Sequence, residues 1–170
     1  MGDVRPRPIA IVSLTLFVVS VLCLVLAPKA TWPEYPGIFF HLSILVLTSR
    51  MTAPAWATAS AYLWVGLDVL TAILILNAAP HNVAWPARMA GHIFAGVWIL
   101  TTSLCTQVTA IRVVGVVTGV WLAGYSLVAH VIPDTYLRPT GLLVPIWLFL
   151  VATMLKTGPA SPDRLSHASR

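Results

Sequence analysis

Charge is what this chain has least of. Only 9% of its 170 residues are charged while 58% are hydrophobic, and the mean hydropathy is +0.89. Soluble domains carry about a quarter charged residues, so a water-soluble globular domain is excluded and an all-α integral membrane protein is the fold class that the composition implies. Cysteine is equally sparse. Cys23 and Cys105 are the only two, and the topology predicted below puts them near opposite sides of the membrane, which excludes a disulfide between them. Metal-ligand pairs at short spacing are missing, with no His-x-x-His, Cys-x-x-Cys or Glu-x-x-His anywhere. The phosphate-binding Walker loop, the dinucleotide glycine fingerprint and the Gly-x-Ser-x-Gly elbow are missing as well, which removes the commonest soluble enzyme classes. The net charge of +5 and pI near 9.8 do not indicate nucleic acid, because the basic residues are scattered at the ends of apolar runs and do not cluster on one face.

What remains is a succession of apolar runs. Breaks in hydropathy predict a single bundle of six transmembrane helices at about 9–27, 37–53, 58–77, 89–107, 113–131 and 140–156. The bundle is then one domain over residues 1–156, with 157–170 a disordered cytoplasmic tail. The Arg-then-apolar start also fits a signal peptide, but residues 28–30, Pro-Lys-Ala, lack the small residue needed before a cut, so a retained helix is expected. Residues 28–37 and 78–88, rich in proline and each holding an interfacial Trp, read as loops at headgroup level. With the N-terminus inside, Arg5, Arg7, Arg50, Arg112, Lys156, Arg164 and Arg170 lie on the inner side and Lys29, Arg88 and Arg138 on the outer. That excess predicts both termini in the cytoplasm, in a cell membrane that is expected to be the plasma membrane.

Asp68 stands apart from everything else. It is the only carboxylate inside an apolar run, and a charge near a bilayer centre costs about 2.5–3.5 kcal/mol even on the lenient insertion scales. It is therefore expected to face protein or water. Ser60, Trp64, Thr71 and Ala72 share its side of a helix at three- and four-residue spacing.

The predicted topology places His41, His81, His92 and His130 together at the outer side, with His130 expected to point inward along the face of Gly119, Ala123 and Ser126. Cys23, His41 and His92 each lie about four residues inside an outer helix end, a shared depth of roughly 6 Å. Thiolate and imidazole at matched depth are what a metal or a haem between helices requires, so His41, His92 and Cys23 form a candidate metal set. Hydrogen-bonded structural histidines are the commoner explanation of such a layer. Trp64, Trp98, Trp121 and Trp147 lie within spans, where core packing competes with the lining of an apolar pocket. Gly115, Gly119 and Ala123 repeat small residues every fourth position, a surface for another helix.

These residues frame several functions. The first is an outward-facing polar cavity, Asp68 below His41, His92 and His130 with Trp64 beside it, which binds or moves a small ligand, ion or proton. The alternatives are a haem- or metal-binding membrane redox subunit, or a non-catalytic accessory or assembly subunit that packs on a larger complex through Gly115, Gly119 and Ala123. A membrane enzyme acting on a lipid or isoprenoid, with Asp68 as acid, is less well supported because no partner carboxylate is placed. No cofactor is assigned, and the only expected surroundings are the lipid bilayer and a helix partner.

Overall fold

The computed structural model describes residues 6–155, the side chain of Asp134 excepted. The expected tail at 157–170 lies outside the described residues. Within them the chain is helical: α1 (Pro6–Leu26), α2 (Glu34–Thr48), α3 (Ala55–Leu76), α4 (His81–Leu104), α5 (Thr109–Val128) and α6 (Thr140–Met154), with a short 3-10 turn at Asp134–Leu137 before the last. Four helical segments are long and apolar enough to cross a membrane: Pro6–Leu26, Ala55–Leu76, Thr109–Val128 and Thr135–Met154.

The other two helices fall short for different reasons. The 15 residues of α2 span about 22 Å at the α-helical rise, less than the roughly 30 Å of a hydrocarbon core. In α4 length is sufficient, at 24 residues, but His81, Asn82, Arg88, His92, Thr101, Thr102 and Ser103 dilute its apolar character. That dilution is tolerable because α4 is heavily enclosed, with Gly91, Ala95, Gly96, Trp98, Ile99, Thr101, Thr102 and Ser103 all buried.

Helix starts differ from the sequence expectation where prolines cluster. Glu34 to Gly37 belong to α2 and not to the preceding loop, and most of the expected loop at 78–88 is the first two turns of α4. Pro36 sits in the first turn of α2, where no N–H is needed. Pro86 is five residues into α4 and leaves unpaired only a carbonyl of the first turn. This early start carries His81, Trp85 and Arg88 on α4 itself. At the end of α3, Ala78 adopts φ 56°. Its N–H and that of Ala79 return to the carbonyls of Ile75 (3.0 Å) and Leu74 (2.9 Å), a Schellman closure in which glycine is the usual residue.

Each helix packs on its chain neighbours, and α6 returns to α1, so the six close a ring in chain order. The closure is tied by Arg7 at the start of α1, which donates to the carbonyls of Leu155 (2.9 Å) and Thr153 (3.1 Å) at the end of α6. A cation there satisfies carbonyls that the last helical turn leaves free. A file of aromatic rings fills the middle: Phe17 on Phe40 (5.0 Å between centroids), Phe40 on Trp64 (6.1 Å), Trp64 on Trp98 (5.8 Å) and Trp98 on Trp147 (5.5 Å). Trp64, Trp98 and Trp147 are thus core, whereas Trp121 is exposed and donates to the carbonyl of Tyr136 at 2.8 Å.

The small-residue face of α5 meets α4 of the same chain. A methyl group at Gly119 would stand 2.5 Å from the carbonyl oxygen of Gly96 and 2.8 Å from Cβ of Leu100, and one at Gly96 would stand 2.7 Å from Cβ of Ala123. Gly115 lies as tightly against Ser103 and Trp147. The small-residue surface read from the sequence as one for another helix is occupied by α4 of the same chain at Gly119 and Ala123, because α5 follows α4 in the ring and its small residues set their spacing.

Candidate functional site

The polar stripe of α3 faces the ring interior: Ser60, Trp64, Asp68, Thr71 and Ala72 are all buried. Two of its hydroxyls need no partner beyond their own helix, since Ser60 donates to the carbonyl of Trp56 (3.2 Å) and Thr71 to that of Leu67 (2.8 Å). Asp68 has no such recourse, because a carboxylate only accepts. Trp64, one turn earlier, donates its indole N–H to Oδ2 of Asp68 at 2.6 Å. From α2, Nε2 of His41 reaches the same oxygen at 2.9 Å. The imidazole is held edge-on to Trp64 and Phe40, at 5.6 and 4.8 Å between ring centroids.

The second nitrogen of His41 fixes the chemistry of this contact. Nδ1 lies 2.7 Å from the carbonyl oxygen of Gly37, an acceptor only, so Nδ1 carries a hydrogen. The short Nε2–Oδ2 contact then holds a single proton, as imidazolium with carboxylate or as imidazole with carboxylic acid. Either way the pair is neutral, and removing that proton leaves one negative charge in an apolar interior. Side-chain exposure is 16% for His41 and 2% for Asp68, so the imidazole is the member nearer the surface.

The other face of Asp68 is turned to α4. A Cβ at Gly91 would stand 2.8 Å from Oδ1 of Asp68. That oxygen and Nδ1 of His92, the next residue of α4, are buried and have no hydrogen-bond partner. His92 and Arg88 of α4 lie in electrostatic range of the carboxylate. Arg88 is engaged by the buried Glu34 of α2, its Nη2 and Nη1 donating to Oε2 at 2.6 Å and Oε1 at 3.3 Å. This forked pair is charge-assisted and directional.

The sequence placed Asp68, Trp64, His41 and His92 together, and the structure brings those four to one region. It departs from expectation in three respects. His130 does not point inward; it lies exposed in the turn after α5, because the helix ends at Val128, two residues before it. Asp68 does not sit below a separate histidine layer but is in direct contact with His41 and Trp64. The candidate metal set does not assemble: among the described residues no three His, Cys, Asp or Glu side chains are placed to hold a metal ion, and Cys23 is a free thiol on α1. Both ring nitrogens of His41 are already engaged, which leaves neither for haem iron. His81 stacks on Trp85 at 5.3 Å, away from the pair.

Sequence reasoning missed Glu34, Arg88 and Gly91. The first two were assigned to loops as single charges, although an isolated acid and an isolated base, each just before an apolar run, is the available signal for an interhelical pair. Compared with known protein families, with curated proteins and with solved structures, the chain matches none.

Proposed function

We propose that the chain is an integral membrane protein of six crossings, with both termini cytoplasmic, whose His41–Asp68 pair takes up and releases a proton at the outer side. The six-crossing topology is supported by helices that close a ring in chain order and by Arg7 joining the start of α1 to the end of α6, as an even number of crossings requires. Glu34 at the start of α2 meets Arg88 near the start of α4, which agrees with alternate helices running in the same direction. The short α2 can cross through flanking side chains that reach the interface or through local thinning of the bilayer.

The observation that carries the functional reading is the Nε2–Oδ2 contact of 2.9 Å between a surface-reaching imidazole and a buried carboxylate. A direct contact leaves a proton as the ligand that fits between the two groups. Intramembrane acids paired with imidazole are the usual elements of proton relays. His41 is the entry group, Asp68 the buried acceptor, Trp64 the donor that keeps Oδ2 in place, and Arg88, in electrostatic range of the carboxylate, the positive charge that moderates the anionic state.

The test is an infrared pH titration of the full chain in lipid nanodiscs. The expected result is a titrating carboxyl band that Asp68→Asn removes while thermal stability is largely kept, because the amide preserves volume and can still accept from Trp64. An unchanged spectrum in Asp68→Asn would overturn the proton reading. For topology, cysteines placed at Ala79 and Ser161, with Cys23 and Cys105 replaced, should label from opposite sides of the membrane; labelling from the same side contradicts six crossings.

A further inference from the structure

We infer that Gly91 is a positioning residue for the Asp68 carboxylate, and that its missing side chain is what lets Oδ1 approach α4 beside His92. This rests on the proton reading of the pair and specifies how α4 takes part in it. Two observations meet at this point. Oδ1 belongs to a residue only 2% exposed, has no hydrogen-bond partner, and would stand 2.8 Å from any Cβ at position 91, with Cγ at 3.2 Å. His92, adjacent in sequence, carries a buried Nδ1 that is likewise unpartnered. Gly91 therefore presents to the carboxylate a helix surface with no side-chain bulk, and the titratable ring at the next position lies in electrostatic range of it.

The carboxylate has little freedom to give way. Oδ2 is held by Trp64 at 2.6 Å and by His41 at 2.9 Å, and rotating Oδ1 away from position 91 moves Oδ2 off both. A methyl group at Gly91 would thus act on the pair itself before it acts on helix packing, since the two nearest atoms belong to Asp68 and the next, Cβ of Leu67, stands at 3.4 Å. The charged and titratable groups in range of Asp68 are His41 from α2 and His92 and Arg88 from α4, Arg88 being held by Glu34. Displacing the carboxylate changes its distance to all of these, so the pH at which the pair titrates must move.

The experiment is the infrared titration of the Asp68 band in Gly91→Ala, in His92→Gln, and in Gly124→Ala as the control, since a Cβ at Gly124 meets nothing within 4 Å. The expected result is a midpoint displaced by about one pH unit or more in Gly91→Ala and in His92→Gln, a tenfold change in proton affinity, with Gly124→Ala superimposed on the parent. If the band titrates in the parent but Gly91→Ala leaves its midpoint in place, this inference is wrong while the proton reading stands. If the parent shows no Asp68 band, the proton reading itself fails. Should Gly91→Ala not fold, Asp68→Ala in the same chain removes the colliding atoms and is expected to restore thermal stability. Failure of that rescue assigns Gly91 to packing against Leu67 and overturns the inference.

Discussion

Two glycines of α5, five residues apart, should respond in opposite ways to the same added methyl group. At Gly119 the new Cβ would meet the carbonyl oxygen of Gly96 at 2.5 Å, Cβ of Leu100 at 2.8 Å and the backbone N of Leu100 at 2.9 Å. Two of these are main-chain atoms of a packed helix, so no rotamer change relieves them and α4 and α5 must separate along the glycine contact. Forced overpacking of this kind costs about 1–3 kcal/mol. At Gly124 nothing lies within 4 Å, so Gly124→Ala adds only the helix preference of alanine over glycine, about 0.8–1 kcal/mol of stabilisation. Because Gly119→Ala gains the same preference, the two variants should differ by the overpacking cost alone, about 1–3 kcal/mol. Thermal unfolding of both proteins in one detergent, followed by helical circular dichroism, reads the difference as a Tm lowered by several degrees in one and raised in the other. Equal Tm values for the two variants would show that α4 and α5 are not in contact at this point and would refute the packing argument.

Ala78→Gly should raise stability by about 0.5–1 kcal/mol, because Ala78 holds φ 56° at the α3 terminus, where glycine avoids the left-handed penalty of a Cβ; a lower Tm would count against the Schellman closure. The Glu34–Arg88 pair should show a coupling of about 1–2 kcal/mol in a double-mutant cycle of Glu34→Gln and Arg88→Gln, since it is forked and partly shielded from solvent. Strict additivity of the two single variants would mean that the pair contributes nothing across α2 and α4.

The apolar runs and the buried acid could be read from the sequence because both follow from one-dimensional chemistry: an uncharged stretch of membrane length, and a charge that such a stretch cannot expose to lipid. The side of α3 that faces inward was legible for the same reason, since Ser60, Trp64, Asp68 and Thr71 share a period. Depth was not. Asp68 was expected below His41 because α2 was expected to begin at residue 37; it begins at Glu34, and how far neighbouring helices slide is decided by packing, which residue spacing does not record. The destination of the Gly119 face was also hidden, because a small-residue ladder looks alike whether it receives a helix of its own chain or of another. Glu34 and Arg88 were separated by prolines that read as loops, and only the early start of α4 puts them on opposing helices.

Several interior hydroxyls of this ring are spent on their own helices: Thr71, Thr118 and Ser126 each donate to the carbonyl four residues back, at 2.8, 2.7 and 2.8 Å. Such bonds satisfy the side chain without joining one helix to the next. The contacts between ionisable side chains of different helices, among the described residues, are His41 with Asp68 and Arg88 with Glu34. Both involve α2, one reaching α3 and the other α4. The opposite side of the ring, where α5 meets α4, is held instead by glycine approach, which no change of pH alters. If the pair exchanges a proton as proposed, its titration acts on the side of the ring that holds α2. Because a lone negative charge in an apolar interior is stabilised chiefly by nearby cations, loss of the shared proton sets Asp68 against Glu34 for the positive charge of Arg88. On the proposed function, the state of the buried pair would thereby be linked to the contact between α2 and α4.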